Sequence, residues 1–470
     1  MGDRSTAVQL YNSAVMSVND KTNPKGLNNG YQLFVSACYA DPTFWQPFYQ
    51  CGNNNNDLNL VESAVACFRR GIEAGGANQH ETAKLMTNLG WALHRLGQEP
   101  EALEWCQKAV DLDASLAYAW MNMSLIHGTL GHSVASVACA DKAYALAPDD
   151  PVVGMATAFA YLFDGQYAQG IKYFEARYPY KLTNYLLYPY PKWLGEKDKT
   201  VFLVADQGLG DTICYSRFVK QAAARAKYIH MCVPTSLLRL FNYAFRELDN
   251  VNIMPSAGVH FPQADAWTTF GSLPFALGST DQEIKDAPAI DLPHYSMHTH
   301  WKVPDRALHI GIQWSGSPLN EIDRHRNIPV AQFLDLYRVP GIQLYSLQVG
   351  DKALQMHDIG SAPVIQDLSG YITDVVDTLT ILREMDLVVC CESALGHIAG
   401  LAGKETIIPY SYLGRDYRYG PRGERILWYT KTTMVPQGSD CQWQPCFDTI
   451  VKMLHKKIRS KAKAMQQAAE

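Results

Sequence analysis

The sequence has no excess of positive charge. Its 41 Lys and Arg stand against 46 Asp and Glu, a formal net charge of −5, which argues against a dedicated nucleic-acid binder. It has no run of about 18 apolar residues, so no membrane-spanning helix and no membrane partner are expected. The opening MGDRSTAVQLYNSAV lacks the apolar core of a secretion signal, which predicts a cytoplasmic protein. None of the 11 cysteines forms a Cys-x-x-Cys pair, which removes the common zinc and thioredoxin-like patterns. Most lie in apolar runs and read as buried thiols of a reducing cytosol; a Cys441–Cys446 disulfide would need an oxidising compartment. His298 and His300 have no third ligand at metal spacing, so no metal site is expected. Hydrophobic residues at 47% and charged residues at 19% exclude a mostly disordered chain. A length of 470 residues allows roughly two to four domains.

What is there begins with a repeat. Gly97, Gly131 and Gly165 stand 34 residues apart, and segments 83–116, 117–150 and 151–184 align on them. Leu89-Gly90 falls where Met123-Ser124 and Thr157-Ala158 fall; Ala109 matches Ala143, Phe174 matches Ala140 and Cys106, and Pro148 closes the middle copy. Two looser copies precede them, 11–44 and 45–82. Small residues at fixed helical positions let backbones approach, and a helix pair without a closed core buries its remaining apolar face against its neighbours. The pattern resembles the tetratricopeptide repeat, which implies an α-solenoid whose concave face docks protein. The sixth repeat position reads Gln50, Asn88, Asn122 and Ala156. In the O-linked N-acetylglucosamine transferases, asparagines near this position grip an acceptor peptide backbone, because a carboxamide both donates and accepts. That resemblance nominates Asn88 and Asn122 as acceptor contacts, in a ladder broken at Ala156.

After the connector YLLYPYPKWLGEKDK the pattern changes from helix–helix to strand–helix. Residues 201–205 and 228–233 read as short buried strands, with a helix from Thr212 to about Ala226 between them, and residues 264–267 end a third unit. A second series runs through strands at 309–314, 342–348, 387–391 and 405–409, with helices near 330–337 and 398–402. Such alternation implies parallel sheets with ligands at the strand C-terminal ends. Residues 447–469 read as a helix, basic near its middle at Lys456, Lys457, Arg459, Lys461 and Lys463, which suits a solvated face.

Three strand-end stretches carry candidate chemistry. Gly208-Leu209-Gly210-Asp211 joins a buried strand to a helix, where glycines permit a tight turn and free amides face an anion. Ile213 stands where a dinucleotide fingerprint needs glycine, and no Gly-Lys-Ser/Thr ending makes a phosphate loop of the Walker type. Asp211 there suits a helix cap. Gln313-Trp314-Ser315-Gly316 leads into Asp323-Arg324-His325-Arg326-Asn327, whose cations suit a phosphate-bearing ligand. Cys391-Glu392-Ser393-Ala394-Leu395-Gly396-His397 enters a small-residue helix whose amides suit a diphosphate, with Glu392 as an acceptor for ribose hydroxyls.

Together, Asp206–Asp211, Trp314–Gly316, Asp323–Pro329 and Glu392–Gly403 resemble the heptosyltransferase-like glycosyltransferases of the GT-B fold, in the branch where tetratricopeptide repeats precede the transferase. Glu392 departs from that branch, which has Asp there, and the segment at Tyr410–Arg418 departs mildly. The resemblance implies an α-solenoid at 1–185, an acceptor-side Rossmann-like lobe at 186–300, a donor-side lobe at 301–446 and a C-terminal helix at 447–470. It implies an inverting transfer from a nucleotide sugar to an acceptor hydroxyl, on a protein selected by the repeats, with no cofactor and no metal. Asp211 would be the base; Trp314, Ser315, Gly316, Arg324, Arg326, Glu392, Ser393, Ala394 and His397 would bind the donor; Gln207, Gly208 and Gly210 would join Asn88 and Asn122 on the acceptor. The competing expectations are a repeat scaffold with a degenerate, inactive module, and a transferase acting on a glycan, a lipid or a nucleic-acid base.

Overall fold

The computed structural model describes the chain apart from residues 1, 20–24, 181–187, 206–207, 259–260, 297–298, 305, 317–325, 413–417, 419–426, 439 and 470. It divides into two compact units, Met1–Asp164 and Gly165–Glu470.

The first unit is a stack of helices: α1 (Arg4–Asn19), α2 (Gly26–Ala40), α3 (Trp45–Asp57), α4 (Val61–Ala74), α5 (Gln79–Arg95), α6 (Glu99–Leu112), α7 (Ala117–Thr129), α8 (Ser133–Leu146) and α9 (Pro151–Asp164). The first eight pair in sequence, and each pair packs on the next. The 34-residue phase has a backbone cause. Gly97 and Gly131 take φ of 74° and 77°, the left-handed region that closes the first helix of a pair at little cost only with glycine. Gly97 N–H then donates to His94 O and Gln98 N–H to Leu93 O. Gly90 serves close approach instead: a Cβ there would lie 2.4 Å from Cys106 Sγ. Ala83, Leu89, Ala102, Cys106, Ala109 and Ile126 form one continuous core across α5, α6 and α7, as stacking of incomplete pairs requires.

The second unit opens with α10 (Tyr167–Phe174) and α11 (Arg177–Tyr180) and holds two parallel sheets. The first is ordered β3-β2-β1-β4, from β1 (Thr200–Val204), β2 (Tyr228–Val233), β3 (Val251–Pro255) and β4 (Ala266–Thr269). The second is ordered β10-β9-β8-β5-β6-β7, from β5 (Leu308–Gln313), β6 (Ile342–Ser346), β7 (Ile365–Asp367), β8 (Leu387–Cys390), β9 (Thr406–Tyr410) and β10 (Thr432–Pro436). The helices that matter below are α12 (Leu209–Tyr215) after β1, α13 (Val219–Arg225), α14 (Ala394–Leu401) after β8 and α15 (Gln444–Ala469) at the end. The core of the second sheet is Leu308, Ile310, Ile312, Leu344, Leu387 and Val389, covered by Phe333, Phe447, Ile450 and Leu454.

The structure differs from the sequence expectations in three places. The segment 151–184 is divided: α9 belongs to the first unit, whereas α10 packs on the helices Leu273–Leu277 and Asp281–Lys285, where Ala168 N–H donates to Asp281 Oδ1 at 2.7 Å. The helix expected over 212–226 is broken into α12, a 3₁₀ turn at Ser216–Phe218 and α13; the Ser216 hydroxyl donates back to Ile213 O at 2.7 Å, a bond that bends helices. The segments expected as 186–300 and 301–446 each centre on one sheet, but both lie in one compact unit. Cys441 and Cys446 carry thiols and form no disulfide, as do the other nine cysteines. Among the described residues no helix is long and apolar enough to cross a membrane.

Candidate functional site

The site is built where the C-terminal end of β1 meets the C-terminal end of β8. After β1, Gly208 caps α12 in extended conformation (φ −116°, ψ 169°). Asp211, three residues on, reaches back: its Oδ2 accepts from Gly208 N–H at 3.1 Å. Its Oδ1 lies 3.1 Å from Arg418 Nη2. Asp211 is thus both a helix cap and one half of an ion pair whose guanidinium is buried. Arg418 reaches it from the segment after β9, where Leu427 N–H donates to Arg418 O at 2.8 Å.

After β8, Ser393 precedes α14 in extended conformation, and its hydroxyl donates to Gln313 Oε1 at the end of β5 instead of capping the helix. Helix α14 therefore starts without a side-chain cap, leaving the amides from Ala394 onward oriented as an anion cradle is. His397, one turn in, points away from that end toward α12. A Cβ on Gly210 would lie 2.6 Å from its Cδ2, so only glycine admits the ring. Its Nδ1 lies 3.0 Å from Cys214 Sγ, which lies 3.2 Å from the Tyr429 hydroxyl. Arg217 closes the far side, donating to Cys214 O at 3.1 Å and Ala287 O at 2.6 Å and lying 4.8 Å from the Trp428 ring centre. Burial pushes the Cys214 thiol and the Tyr429 phenol up, the phenol well above its ordinary value, so both remain protonated.

Several nominated residues do other work. Trp314 is a core side chain, 1% exposed, whose Nε1–H donates to Gln355 Oε1 at 2.9 Å. The amides of Trp314 and Ser315 both donate to Gln348 Oε1, at 3.2 and 3.0 Å. These two residues therefore brace the strand end rather than present side chains; of the Trp-Ser-Gly turn, only Gly316 is partly exposed. Glu392 is 4% exposed, and its Oε2 accepts from Ser411 N–H at 3.1 Å, tying the end of β8 to the end of β9. Arg326 is half-buried, and Ile328 N–H donates to Trp314 O at 2.9 Å, so this segment returns to the end of β5. Gln207 and Arg324 lie outside the described residues. In the repeats, Asn88 Nδ2 donates to Asn53 Oδ1 at 2.8 Å. Asn122 is buried and donates to Thr87 O at 3.2 Å, so its donor links neighbouring repeats inside the stack.

Sequence reasoning missed Gln348, Cys214, Arg217 and Tyr429, and quoted Gln313 within a candidate turn without giving it a role. A glutamine at a strand end and a cysteine in an apolar helix carry no distinguishing pattern. Arg418 was visible within a motif-like segment, but its partner was not. Among the described residues no group of three or more His, Cys, Asp or Glu is placed to hold a metal ion.

A family model of the tetratricopeptide repeat matches residues 83–116, the first of the three aligned segments and the α5–α6 pair. Protein FlbA of Caulobacter vibrioides is 22% identical over 435 residues, covering 85% of this chain and 70% of that protein. Among solved structures, MamA from Desulfovibrio magneticus is 15% identical over 39% of this chain and 99% of its own, with a TM-score of 0.32. YrrB, described as a tetratricopeptide-repeat protein with an unusual peptide-binding site, is 19% identical over 38% of this chain and 89% of its own, with a TM-score of 0.29. The chain thus combines tetratricopeptide-type repeats with a unit of two parallel α/β sheets.

Proposed function

We propose that the chain is an inverting glycosyltransferase, moving a sugar from a nucleotide-sugar donor to a hydroxyl of a protein that the repeats select. The observation that carries this reading is the convergence of two strand-end turns. The Gly208–Asp211 turn and the Ser393–His397 turn meet through the His397 ring on Gly210 and through α12 packed on α14. A carboxylate thus stands on the helix that packs against α14, whose start has no side-chain cap, an arrangement that suits a hydroxyl nucleophile and a diphosphate.

In the proposed step the acceptor oxygen attacks the anomeric carbon as the carbon–oxygen bond to the diphosphate breaks. The bonding pair leaves with the diphosphate, and the hydroxyl proton passes to Asp211. Arg418 and the Gly208 amide fix the carboxylate, whose remaining lone pairs align the hydroxyl. The amides at the start of α14, together with Arg326, take up the charge on the leaving group. Glu392, braced on Ser411, keeps the two strand ends in register rather than meeting the ribose directly. The protein acceptor is read from the repeats, the nucleotide sugar from the second sheet.

A second reading, a repeat scaffold whose α/β unit no longer transfers, is favoured by one observation: both Asp211 oxygens already hold protein donors. A thermal-shift panel of nucleotide sugars, run on the wild type and Asp211→Ala, separates the two. The transferase reading expects a donor that stabilises both proteins, by about 2.7 kcal/mol at 100 times its dissociation constant, and transfer by the wild type alone. A panel without any stabilising donor favours the scaffold. Wild-type turnover by Asp211→Ala removes Asp211 from the step.

A further inference from the structure

We propose that Cys214 is a positioning residue that sets the tautomer and ring plane of His397, so that the imidazole presents its Nε2–H beside the Asp211 turn. Cys214 lies one helical turn after Asp211, on the same face of α12. It is fully buried, with Sγ 3.0 Å from His397 Nδ1 and 3.2 Å from the Tyr429 hydroxyl.

Two directions of donation are open to this chain, and the proposed one starts at the phenol. A thiol and a phenol carry one proton each, and a neutral imidazole carries one on either nitrogen. The bond made at one ring nitrogen decides which nitrogen bears the proton. With the phenol donating to sulfur and the thiol donating to Nδ1, both contacts are filled and Nε2 holds the ring proton. The same ring edge, Cδ2 and Nε2, faces Gly210, at 2.6 and 3.3 Å from where a Cβ would stand. The opposite end of the chain is as closely fitted. The Tyr429 ring occupies the space of a Cβ on Gly400, 2.3 Å from its Cγ. Two glycines, one on each side, thus admit the imidazole and the phenol to the thiol between them. Resting on the transferase reading, this makes His397 a fixed donor beside the Asp211 turn, and Cys214 the group that fixes it.

The test is ¹⁵N-histidine NMR of the full chain without substrate, with His397→Gln used to assign the signal. The wild type is expected to show a protonated Nε2 and a bare, hydrogen-bonded Nδ1. In Cys214→Ala the ring is expected to exchange between tautomers, and kcat for sugar transfer to fall by up to about 100-fold, as for a misplacement of about 1 Å. Cys214→Ser, which keeps a donor, is expected to restore the signal and most of the rate. A wild-type proton on Nδ1, or an unchanged ring signal in Cys214→Ala, overturns the proposal. The wild-type spectrum needs no variant, so misfolding of Cys214→Ala does not remove the test. Because the ring signal is read without turnover, a wild type that has the expected tautomer but transfers no sugar overturns the transferase reading alone.

Discussion

At the scale of single residues, the site depends on what is missing from two positions and on what is buried at two others. Gly210→Ala forces a methyl into the His397 ring, 2.6 Å from Cδ2. Overpacking of this kind costs about 1–3 kcal/mol, and a lowered urea midpoint with an unchanged m-value would register it. An unchanged midpoint would mean that the ring moves aside freely. The second case is Glu175, which pairs with Arg177 at 2.8 Å and with Lys192, while Arg177 is 1% exposed. Burial raises the Glu175 carboxyl, but Arg177, Lys192 and the Ser272 hydroxyl outweigh it and hold the carboxyl below its ordinary value of 4.5. A depressed carboxyl stabilises the fold fully above that value and loses its contribution as pH falls through the folded-state value. Glu175→Ala leaves a buried guanidinium without its ion-pair partner, a loss of about 3–5 kcal/mol at pH 7, and the deficit relative to wild type shrinks on acidification below 4.5. Denaturation at pH 7 and pH 4 measures both. Of these residues Gly210 and His397 were legible in the sequence, because each lies in a strand-to-helix turn with a local pattern. The pairings of Arg177 and Arg418 could not be read, since their partners at Thr269 and Asp211 lie 92 and 207 positions away.

At the scale of elements, what was legible follows burial on both faces. β1, β2, β5, β8 and β9 are predominantly apolar runs because they lie inside parallel sheets. The strands that escaped reading, β3, β7 and β10, are all sheet edges. An edge need not be apolar throughout: β3 carries an exposed Asn252, β7 is only Ile365–Asp367, and β10 ends at Pro436. The basic character of α15 likewise divides in two. Lys457 pairs with Glu405, and Lys461 pairs with Asp386 at 2.9 Å and donates to Ala307 O at 2.8 Å, so part of that charge fastens the helix to the second sheet. The anchoring is chiefly apolar, through Phe447, Ile450, Val451 and Leu454. Phe447→Ala is therefore expected to destabilise the second unit by about 3–5 kcal/mol. Lys461→Ala, an exposed pair, should cost no more than about 1 kcal/mol. Guanidinium titrations of the two variants rank them, and a larger loss for Lys461→Ala would reverse the assignment of apolar packing as the main anchor.

At the scale of the whole molecule, the two units bury separate cores and are assigned separate tasks. The helical unit is cored by Leu85, Leu89, Leu93 and Ile126, and the α/β unit by strands of its second sheet. If the repeats select the acceptor and the α/β unit binds the donor, damage to the first core must separate the two activities. Leu89 is fully buried, and its replacement by Ala removes about 2–5 kcal/mol from the helical stack. In calorimetry, Leu89→Ala is expected to lower the transition of the repeats while the donor-dependent shift of the α/β unit persists. In assay, transfer to a protein acceptor falls as the repeats loosen, whereas slow hydrolysis of the donor continues at the wild-type rate, because no group of the Asp211 turn has moved. Loss of donor hydrolysis in step with protein transfer would contradict this division. It would mean that an intact repeat stack is needed to form the donor site itself, and acceptor choice would then have to be sought at the C-terminal ends of β1 to β4 rather than on the helices.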